Sequence, residues 1–125
     1  SSSSAASDVY KRQQEGYSSM FIMVNDQVSV EELLRGIIVA SGNDACIALA
    51  EGLAGSEEAF ADMMTERGIE LGLRNSVFTN STGLPDPNHK MSARDLGYLA
   101  RIIVQEFSTY YPLFAERAFT WNGIR

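Results

Sequence analysis

Ser41-Gly42-Asn43-Asp44-Ala45-Cys46-Ile47-Ala48-Leu49-Ala50 is the stretch that decides how the rest of the chain folds. It opens with a hydroxyl and a carboxamide two residues apart and continues as a nearly all-apolar helix. A helix with so little polar surface is buried on most sides. Polar groups at its N-terminus therefore lie at an edge of the core, where a cleft can form. Ser41 and Asp44 also fit S-x-x-D, an ordinary helix-capping arrangement, and S-x-N alone recurs by chance in many chains. Capping and active-site roles can coexist, because a helix N-terminus supplies oriented donors.

The pattern around this stretch is helical. Ser29 and Glu32 form a capping box for a helix from Ser29 to Ala40, with Val30, Leu33, Leu34, Ile37 and Ile38 at helical spacing. The apolar helix runs from about Asn43 to Ala54 and is stopped by Gly55. Ser56 is a good N-cap for a third helix, with Glu57 and Glu58 in its first turn. That helix is expected to bury Phe60, Met63 and Met64 and to end at Gly72, with Leu73 giving a Schellman contact. Ser76 to Lys90 reads as a loop broken by Gly83, Pro85 and Pro87, with a short extended piece at Val77-Phe78. Ser92 and Asp95 cap a fourth helix whose buried face is expected to hold Leu96, Leu99, Ala100 and Ile103. A further turn is expected over Tyr110 to Phe114. Strands are expected at Ser18 to Val24 and from Ala118 to Ile124.

Strand, helices, then strand predicts an α+β domain. Residues 1–14 are a serine-rich run followed by a polar one, read as a non-native or disordered tail. Residues 15–125 are read as a partial domain cut at both ends. With 45% hydrophobic residues the chain can build a core, and a net charge of −6 argues against a nucleic-acid partner. There is no signal peptide pattern and no run of eighteen apolar residues. A lone cysteine, Cys46, makes no internal disulfide and reads as a small buried hydrophobe. His89 is the only histidine, so neither a Ser-His-Asp triad nor a multi-histidine metal site is expected. Asp86, His89 and Asp95 have no familiar metal spacing. No metal and no cofactor is implied.

Residues Val28 to Ala45, V-S-V-E-E-L-L-R-G-I-I-V-A-S-G-N-D-A, closely resemble the low-molecular-mass penicillin-binding proteins, the D-alanyl-D-alanine carboxypeptidases of serine peptidase family S11. Gly72-Leu73, Phe78, Gly83-Leu84, Ser92-Ala93-Arg94-Asp95-Leu96 and Phe119-Thr120-Trp121-Asn122-Gly123-Ile124 resemble that family in the same order. The resemblance covers about Gly16 to Arg125. It implies the β-lactamase/transpeptidase-like fold, of which this chain holds mainly the helical part with short flanking strands.

The resemblance further implies acyl transfer through three motifs, S-x-x-K, S-x-N and K-T-G. Ser41 would carry the hydroxyl of the middle motif, bridging two lysines and passing a proton to the departing nitrogen. Asn43 would bind both a lysine ammonium and the substrate's amide oxygen. Gly42 would supply a positive φ for the tight turn. Gly83 and Leu84 would line the substrate cleft, although a turn glycine and an anchoring leucine explain them equally well. Neither S-x-x-K nor K-T-G occurs in the 125 residues, so the chain by itself is expected to be inactive.

The implied partners are a peptidoglycan stem peptide ending in D-Ala-D-Ala, as substrate, and β-lactam antibiotics, as inhibitors. The implied location is extracytoplasmic, in the periplasm or cell envelope. Membrane association would come only through a C-terminal segment not present here. The alternatives are a serine β-lactamase, a D-Ala-D-Ala endopeptidase, or a non-catalytic penicillin-binding-like module.

Overall fold

Three helices joined by very short connections form the centre of the molecule. The computed structural model describes residues 19–23 and 26–121. Helix α1, Val30–Ala40, starts at Ser29, whose hydroxyl accepts from Glu32 N while the Glu32 carboxylate accepts from Ser29 N. Both halves of the expected capping box are thus formed. Helix α2, Asn43–Ala54, ends at Gly55, where φ is 87°. Helix α3, Glu57–Leu71, begins at Ser56, whose Oγ accepts from Ala59 N at 3.0 Å. It ends at Gly72, with Leu73 N donating to Gly68 O at 2.8 Å. Leu73 is almost fully buried, so the expected Schellman contact is present.

Helix α2 packs against both α1 and α3, which explains its apolar composition. Ala45, Ile47 and Ala50 have no exposed surface. Small side chains on most faces let neighbouring helices approach closely. Met20, Ile22, Leu33 and Ala45 form a core cluster, against which Val28, Ile37, Ala48, Leu49, Phe119 and Trp121 pack.

Beyond α3, Ser76–Val77 (β1) and Lys90–Met91 (β2) pair antiparallel, Ser76 with Met91 and Val77 with Lys90. The extended piece expected at Val77-Phe78 therefore forms one residue earlier. Helix α4, Ala93–Glu106, starts at Ser92, whose hydroxyl accepts from Asp95 N at 3.0 Å. A 3-10 turn over Tyr111–Ala115 follows and lies against α1. Just beyond it, Glu116 meets Arg35 of α1 at 3.3 Å.

Some expectations fail. The stretch expected as a strand at Ser18 to Val24 has no strand in its described residues 19–23. Side-chain oxygens take its amides instead: Asp44 takes Met20 and Ile22, Ser19 takes Phe21, and Asp26 takes Met23. Helix α4 does not bury Leu96 or Ala100; its interior line is Asp95, Leu99 and Ile102. The Asp95 carboxylate, with no exposed surface, accepts from Asn75 N and Ser76 Oγ, and these bonds set the rotation of the helix. In α3 the buried positions are Ala61 and Gly68, while Met63 is exposed. Residues 118–120 carry no strand and Trp121 makes a single bridge. Asn122 to Ile124 and the whole of the 1–14 tail lie outside the described residues.

Candidate active-site turn

The connection between α1 and α2 is two residues long, Ser41 and Gly42. Ser41 is not the cap of α2. It follows α1 in a left-handed conformation, φ 53° and ψ 40°, a region L-residues rarely occupy. Its backbone N–H and that of Gly42 both bond to Gly36 O, the latter at 2.9 Å. Gly42 is the N-cap residue of α2, and no side chain caps that helix. The capping reading of Ser41 therefore fails. Among the described residues Ser41 Oγ has no hydrogen-bond partner, and the residue is exposed.

The expectation for Gly42 is corrected as well. Its φ is −71°, so positive φ is not what requires glycine there. Close approach is: a Cβ on Gly42 would sit 3.1 Å from Gly36 O. The left-handed residue is Ser41 itself. Serine holds a strained position where glycine would be at ease, and such strain concentrates at functional sites.

Asn43 opens α2 and is nine-tenths buried. Asp44 follows with no exposed surface. Its Oδ1 accepts from Met20 N at 2.9 Å and Ala45 N at 3.0 Å, and its Oδ2 accepts from Ile22 N at 2.8 Å. The amides of Met20 and Ile22 thus converge on one carboxylate around Phe21, whose φ is 60°. A tripeptide curled in this way is an anion-binding concavity. Sequence reasoning treated Asp44 only as a capping partner. A charged residue on an otherwise apolar helix was the available signal for its larger role, since a buried carboxylate needs donors. Met20 is held from the other side too, because a Cβ on Gly36 would land on its Sδ. Cys46, one turn into α2, has its thiol pushed up to about 11 by burial, with Glu57 and Asp44 adding to the shift.

Gly83 and Leu84 lie elsewhere, in the loop between β1 and β2. Gly83 has φ 79° and donates its amide to Asn80 Oδ1 at 2.8 Å. Asn80 Nδ2 donates to Leu84 O at 2.9 Å. The loop is fastened to α3, where Glu57 Oε1 accepts from both Ser81 N and Ser81 Oγ. Thr65 Oγ1 accepts from Phe78 N at 2.9 Å. Thr79 N donates to His89 Nδ1 at 3.1 Å, so His89 closes the base of the loop. Leu84, Phe78 and α3 line an open cleft of about 990 Å³ that neither Ser41 nor Asn43 borders. Ser41 and Asn43 are thus brought together, and Gly83 and Leu84 are brought together, but the two pairs share no described cleft. Among the described residues no group of acidic, cysteine or histidine side chains could hold a metal ion. No described helix is long and apolar enough to cross a membrane.

The architecture matches solved penicillin-binding proteins. Penicillin binding protein 5 from Haemophilus influenzae superposes with a TM-score of 0.88 at 39% identity, over 96% of this chain and 35% of that one. Penicillin binding protein 6B from Escherichia coli gives 0.79 at 44% identity, over 87% of this chain and 34% of that one. The fold is therefore that of the β-lactamase/transpeptidase class, and this chain holds a largely helical part of it with a small two-stranded sheet. The family description D-alanyl-D-alanine carboxypeptidase (Peptidase_S11) matches residues 2–125, and the chain belongs to that family. The D-alanyl-D-alanine carboxypeptidase DacD of Escherichia coli is 43% identical over 109 residues, 87% of this chain and 28% of the relative. The chain thus spans somewhat over a quarter of the length of that relative.

Proposed function

We propose that this chain carries the middle catalytic motif of a serine D-alanyl-D-alanine carboxypeptidase. The enzyme would remove the terminal D-alanine from peptidoglycan stem peptides outside the cytoplasm. The observation that carries the reading is Ser41: strained, exposed, and with a hydroxyl committed to no cap. The Ser41 hydroxyl makes no hydrogen bond among the described residues, and strain of this kind concentrates at functional sites, which supports another role.

In this mechanism a serine in S-x-x-K, supplied from outside these 125 residues, attacks the carbonyl between the two D-alanines. Its proton passes by way of the Ser41 hydroxyl to the nitrogen of the departing D-alanine. A hydroxyl suits that step because it accepts and donates at once. Asn43 orients a motif lysine through its carbonyl oxygen and the substrate's amide oxygen through its NH₂. Water then releases the acyl group. Asp44 holds the first turn of α2 in place, and Gly42 lets that turn sit directly on α1. Gly83 and Leu84 border the substrate further along the site, on a loop fastened through Asn80, Glu57 and His89. β-Lactams would acylate the same serine.

Residues 15–125 alone, without S-x-x-K and K-T-G, form no acyl-enzyme. The test is fluorescent penicillin followed by denaturing electrophoresis. The full-length protein is expected to give a covalent band, and the 125-residue chain none. A full-length protein that stays unlabelled overturns the reading in favour of a non-catalytic module.

A further inference from the structure

Among the described residues, Phe21 and Ser41 are the two non-glycine residues held at positive φ, and Phe21 is bulky and aromatic. Its neighbours Met20 and Ile22 are 3% and 8% exposed, whereas Phe21 is 48% exposed. The backbone is thus strained into a shape that buries the flanking side chains and leaves this ring outside. Two attachments bind that ledge to the Ser41–Asn43 turn. The Asp44 carboxylate, directly after Asn43, grips the amides on either side of Phe21. Met20 lies against Gly36, whose carbonyl receives the amides of Ser41 and Gly42. The grip of Asp44 and the burial of Met20 and Ile22 set this backbone angle, but neither needs an aromatic side chain at position 21, where glycine would hold the angle without strain.

We propose that Phe21 is a substrate-contacting, specificity-determining residue: a wall beside the Ser41–Asn43 turn against which an apolar acyl-side group of the substrate or β-lactam packs. The inference rests on the acyl-transfer reading and deepens it by naming the chemistry of the group recognised. An aromatic face favours apolar and aromatic groups, offering them area at little entropic cost. It offers no charge to select a carboxylate or an ammonium.

The experiment compares two probes on the full-length protein, benzylpenicillin with its phenylacetyl group and 6-aminopenicillanic acid without one. Second-order acylation constants are measured for wild type, Phe21→Ala, Phe21→Gly and Phe21→Leu, together with each protein's unfolding temperature. Phe21→Ala is expected to slow benzylpenicillin roughly tenfold, in line with losing one apolar contact in a substrate site. It should leave 6-aminopenicillanic acid within about twofold of wild type on the same reasoning. Phe21→Leu should recover most of the loss. Phe21→Gly should lose the same discrimination while its unfolding temperature rises, because glycine relieves the left-handed strain. A ring with a purely structural role would lower both together. Equal effects on both probes, or no effect on either, overturn the proposal alone. A wild type acylated by neither probe overturns the acyl-transfer reading and the proposal with it.

Discussion

Replacing Ser41 by glycine should make the protein more stable and less active at once. The left-handed backbone at Ser41 costs an L-residue about 1–2 kcal/mol, and glycine adopts it freely. Against this, glycine gives the unfolded chain more freedom, about 0.4–1 kcal/mol. No hydrogen bond of Oγ is lost, because none is made among the described residues. The expected net is a stabilisation of about 0.5–1 kcal/mol. Ser41→Ala keeps the strain and loses no cap, so it should fall within about 0.5 kcal/mol of wild type. On the proposed relay role of Ser41, both variants should acylate roughly 10²–10⁴-fold more slowly. Chemical denaturation and stopped-flow acylation on the same full-length preparations read both quantities. A destabilised Ser41→Gly would show that the hydroxyl has a structural bond after all. Near wild-type acylation in both variants would refute the relay.

Other expectations rest on single contacts. Gly36→Ala should cost about 1–3 kcal/mol in denaturant unfolding, since its Cβ would collide with Met20, and Gly36→Ala with Met20→Ala should recover part of it. Ile47→Ala, at the largest fully buried side chain of α2, should cost about 2–5 kcal/mol. Burial pushes the Asp95 carboxyl up, but hydrogen bonds from Ser76 and Asn75 and the Arg94 charge outweigh it, holding it below the ordinary 3.8. The folded state then binds fewer protons than the unfolded state. The stabilisation is complete above that value and lost as pH falls through and below it. Unfolding titrated from neutral pH to acid should therefore show wild type losing stability more steeply than Asp95→Asn at the acid end. Cys46 should resist a thiol-alkylating reagent at neutral pH until the protein unfolds, because its thiol is raised to about 11.

The helices were legible because their signals are local. Ser29 with Glu32, Ser56, Ser92, Gly55 and Gly72 each mark an end with a side chain or a backbone need that neighbours in sequence supply. The composition of α2 also announced its burial between two partners. A capping role for Ser41 stayed open in the sequence because S-x-x-D is locally sufficient. The competing constraint is the double use of Gly36 O by Ser41 and Gly42, which depends on how α1 ends. The failed strand at residues 19–23 has the same origin: its apolar residues fit a strand, but Asp44, more than twenty positions away, claims two of its amides. The inward face of α4 was displaced because Asp95, a first-turn acid on any sequence reading, is bonded to the α3–β1 connection. Of the candidate site, the pairing of Ser41 with Asn43 was readable in the motif. The exposed position of Phe21 was not, since it follows from a backbone angle set by Asp44, distant in sequence.

The central claim is acyl transfer from a peptide ending in D-Ala-D-Ala. The most direct measurement is free D-alanine released from an N-acylated peptide of that kind by the full-length protein, with and without penicillin. The account predicts steady release, blocked by penicillin in step with covalent labelling, and strongly reduced in Asn43→Ala. Full-length, folded protein that neither releases D-alanine nor binds penicillin covalently would contradict it.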